Sequence, residues 1–407
     1  MTHPAAISYA SPKHQKAMFS PRSPRLHATL FALILIALVA IPASPTPAAP
    51  ATTQTPADVL AVMRKVADWQ IANPHRDPAK THASTLLMNG WVQAAGYTGI
   101  MALAKVTGDE KYYNAMRAMG DKHDWQLAKR VYDADDHCVG QTYIELYEKY
   151  RDPKMIAPLK ERFDHILANP QKLPFTFDSK TNPGARNRWS WCDSLFMGPP
   201  VWIRLAAVTG NKAYRDFMVE NWWLTSAYLY DTEEHLFYRD DTFFPTRKRE
   251  ANGKKIFWGR GNGWVMGGLV RVLQYLPKDD PARPSFEKQF KDMAAAILAR
   301  QQPDGLWRAS LLDPDSYPLK ETSGSGFYCY AFAWGVNNGL LDRATYEPAA
   351  LKCWQAMVEC VTPEGKLTHV QPVGSDPKKF ADDSTEAYGS GAFLLAGSEI
   401  YKLLGGK

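Results

Sequence analysis

Val106–Met116 reads VTGDEKYYNAM, and Val208–Met218, 102 residues further on, reads VTGNKAYRDFM. Thr-Gly, a Tyr and a Met recur at equal offsets. Two more echoes lie downstream. ETSGSGF at Glu321–Phe327 and EAYGSGA at Glu386–Ala392 are 65 residues apart, and PDGLW from Pro303 and PEGKL from Pro363 are 60 apart. Hairpin-sized units at this spacing cannot bury their own apolar faces and must pack side by side. Around them the chain reads as helix. Thr55-Pro56-Ala57-Asp58 supplies a capping hydroxyl, a proline in the first turn and an acid three residues on. Val59, Val62, Val66 and Trp69 follow at helical spacing, as do Leu351, Trp354, Val358 and Val361 near the other end. Alternating apolar/polar runs of strand length are scarce. About six hairpins of roughly 55–60 residues fill the ~350 residues that remain after the N-terminal segment. The expected fold is all-α, an (α/α)6 barrel: a toroid of six helical hairpins with its Gly-Ser-Gly and Asp-Gly turns gathered at one rim.

Composition narrows the function. The 407 residues are 45% hydrophobic, 22% charged and 12% aromatic, far too ordered a mixture for a disordered chain. Thirteen Trp and nineteen Tyr suit a cleft that faces carbohydrate. The net charge of +6 is misleading until it is located. Residues 1–43 hold Lys13, Lys16, Arg22 and Arg25 and no acid, so the rest carries 44 basic and 42 acidic residues, a net of +2. The electrostatic footprint of a nucleic-acid partner is missing.

Ala28–Ile41, ATLFALILIALVAI, is a short apolar run behind Arg22 and Arg25, followed by small residues and prolines. That order is a secretory signal, and the run is too short for an ordinary membrane span. We expect a signal over 1–43, with Met18 as an alternative start and cleavage between Ala43 and Ala49. A Pro/Ala/Thr linker over 44–55 and a single catalytic domain over 56–407 would follow. The mature protein is expected to be periplasmic or secreted, with no membrane span once the signal is removed. The five cysteines, Cys138, Cys192, Cys329, Cys353 and Cys360, form no CxxC, so zinc-ribbon and redox readings fail. Cys353 and Cys360 lie two helical turns apart, about 10 Å, too far for a bridge within one helix. They read as small core residues, with one pairing left open in an oxidising compartment.

Three motifs can carry chemistry. RWSWCDSLFMGPPVW (Arg188–Trp202) sets Asp193 among Trp189, Trp191, Phe196 and Trp202. A carboxyl hemmed in by aromatics loses hydration, and its pKa rises toward that of a proton donor. Asp193 could equally be the N-cap of the helix starting at Ser194. DADDHCVGQ (Asp133–Gln141) crowds Asp133, Asp135 and Asp136 beside His137; like charges this close push at least one pKa up, unless the segment is merely a solvated turn. It is no calcium loop, because Cys138 stands where glycine is needed and no Glu falls at the twelfth position. WGRGNGW (Trp258–Trp264) lacks the G-x-G-x-x-G spacing of a nucleotide site. It offers Arg260 as a fork for a carboxylate and Trp264 as a face for a sugar ring, or else it is a plain tight turn. No G-x-S-x-G elbow or H-E-x-x-H is present. Neither a metal nor an organic cofactor is indicated.

Asp193 in WCDSLFM, the WGRGNGW loop, ETSGSGFYCYAFAWGVNNG (Glu321–Gly339) and EAYGSGAFLLAGSE (Glu386–Glu399) together resemble glycoside hydrolase family 105, in order and in spacing, as does the early MNGW…VTGDEKYY segment. The resemblance covers nearly all of Val59–Leu404. Family 88, the unsaturated glucuronyl hydrolases, is a more distant cousin with the same fold. The resemblance implies an (α/α)6 barrel acting on an acidic oligosaccharide that ends in a 4,5-unsaturated uronic acid left by a polysaccharide lyase. An aspartic acid protonates C4 of the vinyl ether, water adds at C5, and the unstable product rearranges to release the sugar. A conventional glycosidase instead needs two carboxylates flanking the glycosidic bond. By position Asp193 resembles the general acid/base and Asp136 the second aspartate, with Asp135 the near alternative. Arg260 and Trp264 resemble the residues that hold the unsaturated uronate, and Asn262, Trp191 and Trp91 are expected to complete the substrate-facing set. One departure stands out: after the LFY segment many members carry a histidine, whereas here Tyr238 is followed by Arg239-Asp240-Asp241. Arg239 is expected to take over that contact, which puts the usual sugar preference in doubt.

The competing readings are a family 88 hydrolase on other uronate glycans, a sugar epimerase and a non-catalytic glycan-binding toroid. An epimerase calls for histidine bases, and no His-rich rim motif appears. A pure binder would have no need to keep both Asp193 and Asp136. The oligomeric state is open.

Overall fold

The computed structural model describes residues 54–75, 82–178 and 180–407; the signal expected over 1–43 and the expected linker up to residue 53 lie outside the described residues. Twelve helices of eleven residues or more are described, and they alternate between an inner and an outer ring. We label them α1 (Pro56–Ala72), α2 (Trp91–Thr107), α3 (Glu110–Lys122), α4 (Gly140–Tyr150), α5 (Ala157–Ala168) and α6 (Pro199–Thr209). After these come α7 (Lys212–Leu229), α8 (Gly259–Leu273), α9 (Arg283–Leu298), α10 (Thr322–Asn337), α11 (Arg343–Val358) and α12 (Ala387–Leu403).

The even-numbered helices touch in cyclic order, and α12 returns to pack on α2, so the inner ring is closed. Burial follows from this. All fifteen residues of α8 are buried, as are Thr322–Val336 of α10; α10 is largely apolar, and the buried polar side chains of α8 are paired inside the protein, Arg271 with Glu145 at 2.8 Å. Outer helices bury one stripe only: α9 turns Phe286, Phe290, Met293 and Ile297 inward, positions that recur at about one and two turns. The expected (α/α)6 barrel is the fold of this chain. α1, opened by the capping box of Thr55 and Asp58, packs as the outer partner of α12, and Ser390 Oγ donates to Gln70 Oε1 at 2.9 Å across that contact.

The repeats acquire a physical meaning in this frame. Each VTG marks the hairpin between an inner helix and the next outer one. Gly108 and Gly210 take the left-handed conformation at φ 66° and 73°, and the following Asp109 and Asn211 cap α3 and α7. The two glycine-serine-glycine motifs sit at the N-termini of α10 and α12. Close approach requires glycine there: a Cβ on Gly99 of α2 would lie 2.3 Å from the Gly391 carbonyl of α12. Among the described residues the one sheet is a hairpin, β1 (Tyr230–Asp231) against β2 (Leu236–Phe237), antiparallel with Tyr230 opposite Phe237. Asn262 pins it to α8, since its Oδ1 accepts from Phe237 N at 2.7 Å and its Nδ2 donates to Phe237 O at 3.1 Å. All five cysteines are free and buried. No helix among the described residues is long and apolar enough to cross a membrane.

Candidate active site

The segments that precede the inner helices meet in a cleft of about 430 Å³, lined by Asp135, Asp193, Arg130, Arg186, Arg239, Trp91, Trp191, Met197, His82, Ser84 and Val373–Ser375. Asp135 lies on the one-turn helix before α4, and Asp193 opens the one before α6. Arg239 follows β2, and Trp91 is the first residue of α2. Inner-helix N-termini therefore point toward the cleft, which favours anions there.

Asp193 precedes Ser194–Met197, yet its side chain makes no cap hydrogen bond. The capping alternative therefore falls away. Its side chain is 13% exposed, which leaves it reachable from the cleft, and its Oδ2 lies 3.6 Å from Arg239 Nε. Burial pushes its pKa up, while Arg239 and then Arg260 pull it back toward the ionised form.

Of the acidic cluster, the structure turns Asp135 to the cleft, not Asp136. Both oxygens of Asp136 are taken up by Arg130: its backbone N donates at 2.7 Å, and its side chain closes the pair. Asp133 caps the turn by accepting from Asp135 N at 3.0 Å and pairs with Arg130 and Arg186. Asp135 shares Arg186. Burial first, then the Asp133 charge, raise the Asp135 carboxyl to about 7, against the opposing pull of Arg186 and Arg130. Two carboxyls with raised pKa thus line one cleft, an arrangement suited to holding one proton where it can be delivered. A second cavity of about 370 Å³, lined by Trp189, Trp202 and Phe217, has Glu220 as its one carboxylate and lacks such a pair.

Of the eight residues singled out in the sequence, Asp193, Arg239, Trp191 and Trp91 line the cleft. Asp136, Arg260, Trp264 and Asn262 lie behind it. Arg260 is buried between the rings of Trp258 and Tyr388, and its terminal nitrogens donate to the carbonyls of Gln371 at 2.6 Å and Pro372 at 2.9 Å. It braces the chain that runs into the Val373–Ser375 wall. Trp264 is fully buried among Phe196, Phe327 and Tyr388, and it backs Trp91 edge-on at 6.3 Å. Its ring supports the cleft wall and presents no open face to a sugar. Between the two aspartates the sequence left open, the cleft takes Asp135, the alternative, and the residues missed in the sequence are Arg130, Arg186, His82 and Ser84. Arg186, which covers the Trp191 ring at 4.6 Å, was signalled only by its place in the basic RNR triplet seven residues before Asp193.

An (α/α)6 barrel whose inner rim gathers two buried carboxyls, arginines and the half-buried Trp91 is built as a glycoside-cleaving enzyme. Residues 62–404 match the family model described as Glycosyl Hydrolase Family 88, and the chain belongs to that family. The chain is 41% identical over 353 residues to an unsaturated 3S-rhamnoglycuronyl hydrolase of Formosa agariphila, covering 85% of this chain and 91% of that protein. An enzyme of the same name from Alteromonas sp. (strain LOR) is 35% identical over 346 residues, covering 82% and 83%. A solved structure described as a polysaccharide lyase superposes with TM-score 0.75 at 32% identity, over 85% of this chain and 97% of that one. A possible member of family 105 from Salmonella enterica shares the fold at TM-score 0.70 and 20% identity, over 88% and 97%.

Proposed function

We propose that this glycoside hydrolase removes a 4,5-unsaturated uronic acid from the non-reducing end of lyase-generated acidic oligosaccharides. Asp193 delivers its proton to C4 of the vinyl ether, water adds at C5, and the product rearranges to free the neighbouring sugar. Asp135, across the cleft, orients that water, and Trp91 flanks the sugar ring, while Trp191, 1% exposed, backs Arg186. The observation that carries this reading is Asp193 itself: a carboxyl of raised pKa, buried yet reachable, that caps no helix and takes the neighbouring Cys192 thiol at 3.5 Å and the Arg239 cation at 3.6 Å as partners. The names of the two curated relatives favour an unsaturated rhamnoglycuronyl oligosaccharide over a rhamnogalacturonan fragment from pectin. The apolar leader read over 1–43 favours a reaction outside the cytoplasm.

The solved relative described as a lyase gives the second reading, an elimination that would create the same double bond. One experiment separates the two. Purified protein is mixed with intact polysaccharides and with their lyase-generated oligosaccharides, and the ultraviolet absorbance of the conjugated double bond is followed. Hydration makes it fall on the oligosaccharides, and elimination makes it rise on the polymers. A rise, or no change on any substrate, would overturn the proposal.

A further inference from the structure

Arg239 stands where the family resemblance leads one to expect a histidine, and the groups around it form a buried chain. Its Nη1 donates to Asp240 Oδ2 at 2.6 Å, while its Nε, 3.6 Å from Asp193 Oδ2, has no hydrogen-bond partner. The guanidinium lies over the Phe177 ring at 4.4 Å. Asp240 is 1% exposed, and its other oxygen accepts from Thr242 N at 2.9 Å and from the Thr242 hydroxyl. The next carboxylate, Asp241, accepts from Phe177 N at 2.8 Å. Consecutive acids therefore hold the guanidinium on one side and the ring that covers it on the other. The backbone completes the link, since Cys192 N donates to Arg239 O at 2.8 Å, one residue before Asp193.

We propose that Asp240 and Arg239 form a positioning relay for Asp193. Asp240 fixes the guanidinium, and the guanidinium fixes the orientation of the Asp193 carboxyl and keeps a cation beside it while the proton leaves. The proposal rests on the reading of Asp193 as the proton donor. When the O–H bond breaks and the C4–H bond forms, a buried carboxylate remains, and a cation at 3.6 Å stabilises that state in a way neutral surroundings cannot. The other charged or titratable groups around Asp193 are Arg260 and the Cys192 thiol beside it, Arg186 and Asp135 across the cleft, and Asp240 behind Arg239. Asp240 touches no reacting atom, and its effect passes through Arg239.

The test uses the full chain with Arg239→Gln, Arg239→Lys, Asp240→Asn and the double variant Arg239→Gln/Asp240→Asn. Rates are measured against pH on lyase-generated unsaturated oligosaccharides, and the Asp193 carboxyl is titrated by carbon-13 NMR. An acid that loses its neighbouring cation holds its proton to higher pH, so Arg239→Gln should move the alkaline limb of kcat up by about one pH unit. It should also lower kcat by roughly tenfold with little change in KM, while Arg239→Lys keeps the wild-type limb. Asp240→Asn, which preserves the Thr242 contacts, should cost a similar factor alone and nothing further in the Arg239→Gln background. Additive losses, or a rise in KM alone with the limb unmoved, overturn the relay. Wild type inactive on every unsaturated oligosaccharide would refute the hydration reaction instead. The NMR titration then still decides the relay: an Asp193 midpoint unmoved by Arg239→Gln refutes it.

Discussion

Arg260 and Gln371 are joined at 2.6 Å, guanidinium to backbone carbonyl, and Gln371 makes four further hydrogen bonds, one of them from its Nε2 to the Asp376 carbonyl at 2.9 Å. Its N donates to Glu321 Oε1 at 3.2 Å, its carbonyl accepts from Tyr388 OH at 2.6 Å, and its Oε1 accepts from Trp258 Nε1 at 2.8 Å. Arg260→Ala strips the donors from two carbonyls and should destabilise the fold by about 1–3 kcal/mol. It should also raise KM by loosening the 373–375 wall. Arg260→Lys should rescue little, because an ammonium cannot serve both carbonyls as a fork does. Urea unfolding alongside steady-state kinetics checks this; unchanged stability with a raised KM would return Arg260 to direct substrate binding.

Asp193→Asn should lower kcat on unsaturated oligosaccharides by about 10²–10⁴-fold while leaving thermal unfolding near wild type. Residual activity close to wild type would remove Asp193 from the proton-transfer step.

Asp135 and Asp136 should separate in opposite directions. Asp135→Asn should mainly lower kcat. Asp136→Asn should mainly lower stability, because it weakens the clasp with Arg130 that shapes the turn. Kinetics and urea unfolding on the two variants decide between them.

Stability should show a cancellation with pH. The folded protein holds Asp135 at about 7, above its ordinary value, so this group's contribution is present at low pH and is lost as pH rises through 7. Burial lowers His137 to about 4, so its contribution is present above 6.5 and is lost as pH falls through 4. The two slopes oppose each other between pH 4 and 6.5. Asp135→Asn should unmask the histidine and make stability climb with pH across that window. Unfolding free energies at pH 4, 5.5 and 7 read this directly, and an unchanged profile would refute the raised Asp135 pKa.

Trp91→Ala should raise KM with a modest effect on stability. Trp264→Ala should cost about 3–5 kcal/mol, as for other buried large-to-small changes. Thermal unfolding and KM for both variants test whether Trp264 touches sugar at all.

The ring of hairpins was legible in the sequence because its turns need particular chemistry: a left-handed residue after an inner helix, a cap for the outer one, and glycine where α2 and α12 meet. The rim that carries the site was legible for the same reason. Which way each rim residue faces was not. On a one-turn helix Asp135 and Asp136 differ by about 100° of rotation, and no periodic pattern extends far enough to set the phase. WGRGNGW reads like a binding loop, but Arg260, Asn262 and Trp264 all lie within α8, where packing against α10, β2 and α12 claims them. Arg186 escaped notice because its partners, Asp133 and Asp135, lie more than fifty residues away in the chain.

The closure of the inner ring also governs how the molecule is made. The seam between α2 and α12 joins residues such as Gly99 and Gly391, nearly three hundred positions apart. During synthesis the apolar flank of α2 emerges early and waits for its neighbour until α12 leaves the ribosome. Contacts of such long sequence separation form slowly, and an open arc of hairpins displays sticky inner helices at both ends in the meantime. A chain without α12 would keep most of its hairpins yet remain an unclosed arc, prone to join its ends with those of another copy.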